Sequence, residues 1–168
     1  MKAVLLEGAE EMDNFLESLV AEWYEFNGYF VRRNTRVGKR QRGGFESELD
    51  VVAFCPAKNH LVHIEVSSDA GSWPTRESRL TKKFEWGLKC IPGWFNGITL
   101  PEIERIAIFG EVRGKGHPKT IAGGKLLPMD EFLRIVKEGL PSSYKQVIHE
   151  QFVILRALQL AKEYWPSA

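Results

Sequence analysis

Two cysteines in 168 residues, Cys55 and Cys90, supply neither a disulfide framework nor the Cys/His spacing of a zinc site. Both stand beside apolar residues, as small core fillers do, and the expected setting is a reducing, cytoplasmic one. Long apolar runs are lacking as well. Ala3-Val4-Leu5-Leu6 is cut short by Glu7 and further acids, so neither a signal peptide nor a membrane span is expected. Low-complexity repeats are absent, and net charge is nearly nil, 23 basic against 22 acidic side chains. That total hides an asymmetry. Residues 1–31 hold seven acids and one Lys, whereas 32–42 hold six bases, Arg32, Arg33, Arg36, Lys39, Arg40 and Arg42, and no acid. With 43% hydrophobic and 27% charged residues the chain has the composition of a soluble globular protein, and its length suits one domain over 1–168.

What chemistry the sequence offers is concentrated in 45–69. Two apolar runs, Leu49-Asp50-Val51-Val52-Ala53-Phe54 and Leu61-Val62-His63-Ile64-Glu65-Val66, flank Cys55-Pro56-Ala57-Lys58-Asn59-His60, whose Pro and Asn predict a hairpin. Each run carries one carboxylate, Asp50 or Glu65, towards a core where an unpartnered charge is costly. Two arrangements answer that cost: a shared divalent cation, or arginine and solvent on a two-faced hairpin. If the partner is a metal, oxygen donors without a Cys or His cluster suit Mg²⁺ or Mn²⁺ better than zinc.

Upstream, Phe15, Leu16, Leu19, Val20, Trp23 and Phe26 recur every three or four residues and predict an amphipathic helix over 10–27, ended by Gly28. Glu17 and Glu22 border its apolar stripe, as members of a solvated face. A first strand begins at Gly28-Tyr29-Phe30-Val31, and the basic, glycine-containing 32–44 predicts a long hairpin tip or flexible loop. Its bases form a solvated surface or, beside a metal site, an electrostatic footprint for phosphate backbone that reads no bases.

This order of helix, Gly-Tyr, strand, Arg33-Asn34-Thr35-Arg36, basic loop, Glu48-Leu49-Asp50, turn and Ile64-Glu65-Val66-Ser67 resembles the PD-(D/E)XK nuclease superfamily, nearest to its small YraN-like members. The resemblance covers 17–67. It implies an α/β, restriction endonuclease-like αβββαβ core with a mixed central sheet flanked by helices, here with extra C-terminal helices. It also implies metal on Asp50 and Glu65, Glu17 as the helix glutamate, and Glu48 as an orienting group or a ligand through water. In the superfamily a Lys two positions after the glutamate helps activate water; Ser67 stands there instead. A hydroxyl can ligate through water or hold the nucleophile, yet brings no positive charge.

The next predicted helix begins near Pro74, with Ser72 or Trp73 outside it, and has Leu80, Phe84 and Leu88 on one face. Lys83 and Arg76 border that face and Lys82 lies nearly opposite. Lys83 is the first candidate for the displaced charge and Lys82 the second, set against ordinary surface lysines. The implied activity is Mg²⁺- or Mn²⁺-dependent hydrolysis of DNA phosphodiesters, with RNA as an open alternative substrate. The competing reading is a catalytically inactive nuclease fold acting as a nucleic-acid-binding or assembly module.

Downstream, Trp94 and Phe95 in the loop 91–97 either stack on a base or close a core. A buried strand over 104–110 is expected beside the glutamate strand after a helical crossover, followed by a basic, glycine-rich loop over 113–119. His60, His117 and His149 are isolated, and His63 alone shares a strand face with Glu65. A short helix over 129–138, with Phe132, Leu133 and Val136 inward, precedes a longer one capped by Ser142 or Ser143 and running to Trp165. The wide apolar surface of that last helix is read as core or as a homodimer seam.

Overall fold

The near-continuous apolar run after Glu48 is the pattern of a strand covered on both faces, and it lies inside a six-stranded sheet. The computed structural model describes residues 15–68, 71–110, 117–142 and 146–164. In chain order the elements are α1 (Phe15–Phe26), β1 (Phe30–Lys39), β2 (Phe45–Cys55), β3 (His60–Ser67), α2 (Trp73–Cys90), β4 (Ile103–Phe109), β5 (Thr120–Ile121), β6 (Gly124–Pro128), α3 (Met129–Gly139) and α4 (Val153–Tyr164). The sheet order is β1-β2-β3-β4-β6-β5. Strands β1, β2 and β3 pair antiparallel, β3 with β4 and β4 with β6 parallel, and β5 with β6 antiparallel. The fold is therefore α/β with a mixed sheet flanked by helices, and its first six elements follow the αβββαβ order.

Period-two alternation sorts the strand residues between two layers. Val51, Ala53, Val62, Ile64, Ile106 and Ile108 face a layer built by Leu19 and Val20 of α1, Phe132 and Val136 of α3, and Leu155 of α4. On the opposite face Val52, Phe54 and Leu61 meet Ile91, while Ala107 and Phe109 meet Leu80 and Phe84 of α2. Of the large apolar side chains of α2, only Leu80 and Phe84 are fully buried, together about 3–6 kcal/mol as an upper estimate. Polar contacts therefore matter in seating this helix.

Several expectations change. The basic segment is strand as far as Lys39, not a long loop, because β1 stays in register with β2 from Phe30↔Phe54 to Lys39↔Phe45. Charged side chains suit it, since β1 is a sheet edge that must not pair with another chain. Only 40–44 makes the turn, with Gly43 and Gly44 at φ of +91° and +78°. On α2 the buried turn is Arg76, Leu80, Phe84 and Gly87, and Leu88 is 44% exposed. On α3, Met129 is buried and Leu133 is exposed. Ile91 is buried, Phe95 packs edge-on to Phe54 at 5.1 Å, and Arg32 lies 4.4 Å over Trp94, so these aromatics close a core.

The long C-terminal helix is shorter than its periodicity predicts. It begins at Val153, where Glu22 of α1 accepts the N–H groups of Ile154 (2.9 Å) and Leu155 (3.0 Å). Glu22 thus satisfies two of the donors that every helix start leaves unpaired, and is not a solvated surface acid. Residues 146–152 are irregular and bury Ile148 and Phe152. Ser143, Trp165, residues 10–14 of the first predicted helix and residues 113–116 of the second basic loop lie outside the described residues.

Candidate active site

Backbone pairing of β2 with β3 runs from Cys55↔His60 to Val51↔Ile64. Asp50 and Glu65 are the next facing pair in that register, so they stand where the ladder ends. Opposite Asp50 on the other side, Asn34 of β1 takes a left-handed φ of 46° that Asn tolerates better than most residues. With the strands released on both sides, the carboxylates replace the missing ladder bonds. Val66 N–H donates to Asp50 Oδ2 at 2.9 Å, and Asp50 N–H donates more weakly to Glu65 Oε1 at 3.4 Å. One oxygen of each carboxylate is thereby fixed by the fold. The other, Asp50 Oδ1 and Glu65 Oε2, meets the ammonium of Lys83, at 2.5 Å for Asp50 and in a direct ion pair for Glu65.

Lys83 reaches the carboxylates from one side of the buried stripe of α2, one residue before Phe84, with its stem over the core and its head between the acids. Lys82, on the next face, is 54% exposed and only approaches Glu46 at 3.8 Å. The helical face therefore separates the two lysines as their spacing predicts.

Asp50 is 7% and Glu65 2% exposed, and burial pushes both carboxyl groups up, Asp50 to about 7. The charge of Glu65 adds to the rise at Asp50. Burial alone would lower the Lys83 ammonium, but Glu65 and Asp50 outweigh it and hold Lys83 above its usual value. One cation thus serves two buried anions, and the trio carries a net negative charge whenever both acids are ionised.

His63, fully buried, sits 2.7 Å from Glu65 Oε1 through Nε2. Burial pushes its pKa down to about 3, so the ring is neutral. Among the described residues Nδ1 has no hydrogen-bond partner, which assigns the proton to Nε2 as the donor to Glu65. The ring stands edge-on to Phe84 at 5.2 Å and against Gly87, where a Cβ would come within 2.3 Å of Nδ1. Sequence spacing had put His63 on the right face; the glycine that makes room for it carries no such signal.

The outward oxygens open into a cavity of about 200 Å³ lined by Glu17, Asp50, Glu65, Ser67, Arg79 and Lys83, among others. Arg79, one turn before Lys83, was not singled out by sequence; it donates to Ser67 Oγ at 3.1 Å. Spacing of i and i+4 from Lys83 on the same helix is the signal that would have found it. Glu48 does not line this cavity; it accepts from Arg36 Nε at 3.0 Å. Of the other bases, Arg40 pairs with Glu46 at 2.8 Å, Arg33 donates to Ser18 at 3.3 Å, and Arg32 covers Trp94. Arg33 therefore faces α1, and Arg32 the layer on the opposite side of the sheet. His60 lies at the far end of β3, between Tyr29 (2.8 Å) and Glu104 (2.7 Å).

Among the described residues no three His, Cys, Asp or Glu side chains gather as a ready-made metal centre, and no helix is long and apolar enough to cross a membrane. No family model and no curated protein matches the chain. Three solved chains do. One is the crystal structure of a protein of unknown function, AF1548, with a TM-score of 0.47 and 16% identity over 88% of this chain and 79% of that one. Similarity at that level assigns neither a function nor a site.

Proposed function

We propose that this protein is a divalent-cation-dependent nuclease of the PD-(D/E)XK type that hydrolyses DNA phosphodiesters. The observation that carries the reading is the convergence of Asp50 Oδ1 and Glu65 Oε2 on Lys83 Nζ. An ammonium ordinarily expected two residues after the glutamate comes instead from α2, and Ser67 is left beside it as the anchor of Arg79. The donor set fits Mg²⁺ or Mn²⁺. Asp50 Oδ1 and Glu65 Oε2, shared here with the Lys83 ammonium, are hard ligands, and Mg²⁺ is commonly held by one or two carboxylates with water and substrate phosphate completing the shell. Asp50 and Glu65 would hold the ion, with Glu17 and Glu48 acting at most through water. When bound, such a cation polarises the phosphate and lowers the pKa of water. Lys83 contributes a positive charge next to the reacting phosphate, where a preorganised donor counts most. Neutral His63 fixes the Glu65 carboxylate through Nε2–H and leaves its other oxygen facing the cavity.

A binding or assembly module is the second reading, favoured by Ser67, a hydroxyl without charge, at the position where the superfamily has its lysine. Cleavage of supercoiled plasmid and of single-stranded DNA with Mg²⁺ and with Mn²⁺ separates the two. Metal-dependent nicking is expected from the wild type, at least a hundredfold weaker in Asp50→Ala and Glu65→Ala, and 10²- to 10⁴-fold weaker in Lys83→Ala. A wild type that binds DNA and cuts with neither metal would establish the binding module instead.

A further inference from the structure

At about 200 Å³ the carboxylate cavity has the room of about seven waters at ~30 Å³ each, enough for a phosphate and its shell but not for a polymer. A strand entering it must continue elsewhere. Directly adjoining is a groove of about 770 Å³ between the start of β2 and the first turns of α2, lined by Ser47, Glu48, Thr75, Ser78, Arg79 and Lys82, and sharing Arg79 and Lys83 with the cavity. Its acids are already engaged. Glu48 accepts from Arg36, and Glu46 at the rim is bound by Arg40 at 2.8 Å and approached by Lys82 at 3.8 Å. Beside Pro74 and the apolar stems that make up much of its wall, the groove carries the cations Arg79 and Lys82 and the hydroxyls of Ser47, Thr75 and Ser78, donor types that take phosphate and sugar oxygens. Thr75 to Lys82 covers about 10 Å of helix, room for a short stretch of backbone beyond the phosphate in the cavity.

We infer that this groove holds the sugar-phosphate backbone of the strand that enters the carboxylate cavity, with Arg79 at the junction and Lys82 on the neighbouring phosphate. The path runs along α2. It rests on the nuclease reading for which strand is held, but binding itself requires no cleavage.

The test is fluorescence anisotropy of the full chain with a labelled 12-nucleotide single strand, as DNA and as RNA of one sequence, in EDTA. Lys82→Ala weakens binding about 3–10-fold and lowers the salt slope by about 0.7. The double variant Thr75→Ala with Ser78→Ala weakens it about threefold. Arg134→Ala, on α3 across the sheet, changes it less than twofold, and thermal melts verify that each variant folds. DNA and RNA bind within about threefold of one another, because the groove reads backbone. Wild-type affinity retained in both groove variants, no binding of either polymer, or a sugar preference above tenfold would each overturn the assignment. If the groove variants lose binding while the wild type cuts nothing, the nuclease reading fails and the groove stands. Cleavage with unaltered binding in the groove variants gives the reverse.

Discussion

Gly87 is the residue on which the local rules and the tertiary structure disagree. In a helix interior Ala is favoured over Gly by about 1 kcal/mol, so Gly87→Ala would ordinarily stabilise α2. Here the added methyl meets the His63 ring at 2.3 Å, inside a packed face closed by Phe84. Overpacking of that kind costs about 1–3 kcal/mol, so the net change is expected to be destabilising. Displacing the ring also loosens Glu65, whose Oε1 His63 holds. We expect Gly87→Ala to lower cleavage about tenfold, beyond what its loss of stability explains. Adding His63→Ala relieves the clash and recovers part of the stability while activity stays low. Chemical denaturation beside plasmid nicking checks both, and a Gly87→Ala protein more stable than wild type would remove His63 from this role.

Among the elements, α1 and α4 depend on each other through one carboxylate. Glu22→Gln keeps the shape and hydrogen-bonding oxygen but removes the charge at the start of α4, while Glu22→Ala removes the cap that Ile154 and Leu155 use. Losses of about 0.5 and about 1–2 kcal/mol are expected respectively, or about 2–8 °C in Tm for the alanine variant in a chain of this size, with faster proteolysis within 146–152. Equal melting of all three proteins would show that α4 needs no cap from α1. The same elements mark what could be read in advance. Alternation and the Pro-Asn turn made β2 and β3 legible, and helical periodicity ranked Lys83 above Lys82 because a side chain's face follows from its spacing alone. The reach of β1 and the start of α4 were not legible. The first depends on the edge position of a charged strand, and the second on a partner more than a hundred residues away, and neither is a local property of the sequence. Arg79 and Gly87 likewise gain meaning only once α2 lies over β3.

At the scale of the whole molecule the buried acids make stability depend on pH. Burial, then the charge of Glu65, raises the folded Asp50 carboxyl from 3.8 to about 7, and burial raises Glu65 in the same direction. Between about pH 4 and 7 these two carboxyl groups bind more protons in the folded chain than in the unfolded one and make stability fall as pH rises, whereas His63, held neutral by burial, works the opposite way up to its unfolded value near 6.5. The contribution is fully present below the unfolded pKa and lost through the folded one, on the order of 4 kcal/mol at most for Asp50. Lys83 works against the loss, yet one ammonium cannot neutralise two carboxylates. A divalent cation held there, as proposed, would, and because it would bind the ionised acids in competition with protons, its stabilisation would grow with pH across the same window. In EDTA we expect the Tm of the wild type to fall relative to that of Asp50→Asn, which keeps His63, from pH 5 to pH 8, and millimolar Mg²⁺ or Mn²⁺ to restore it at pH 8 and not at pH 5. Asp50→Asn, which keeps an oxygen for the Val66 N–H but cannot ionise, should flatten the decline, melt above the wild type at pH 8 in EDTA by about 1–3 kcal/mol of stability, and lose the response to metal. If Asp50→Asn instead melts lower at pH 8 without metal, the trio with Lys83 is a satisfied ion network that stabilises the fold, and the electrostatic tension that favours a cation there does not exist.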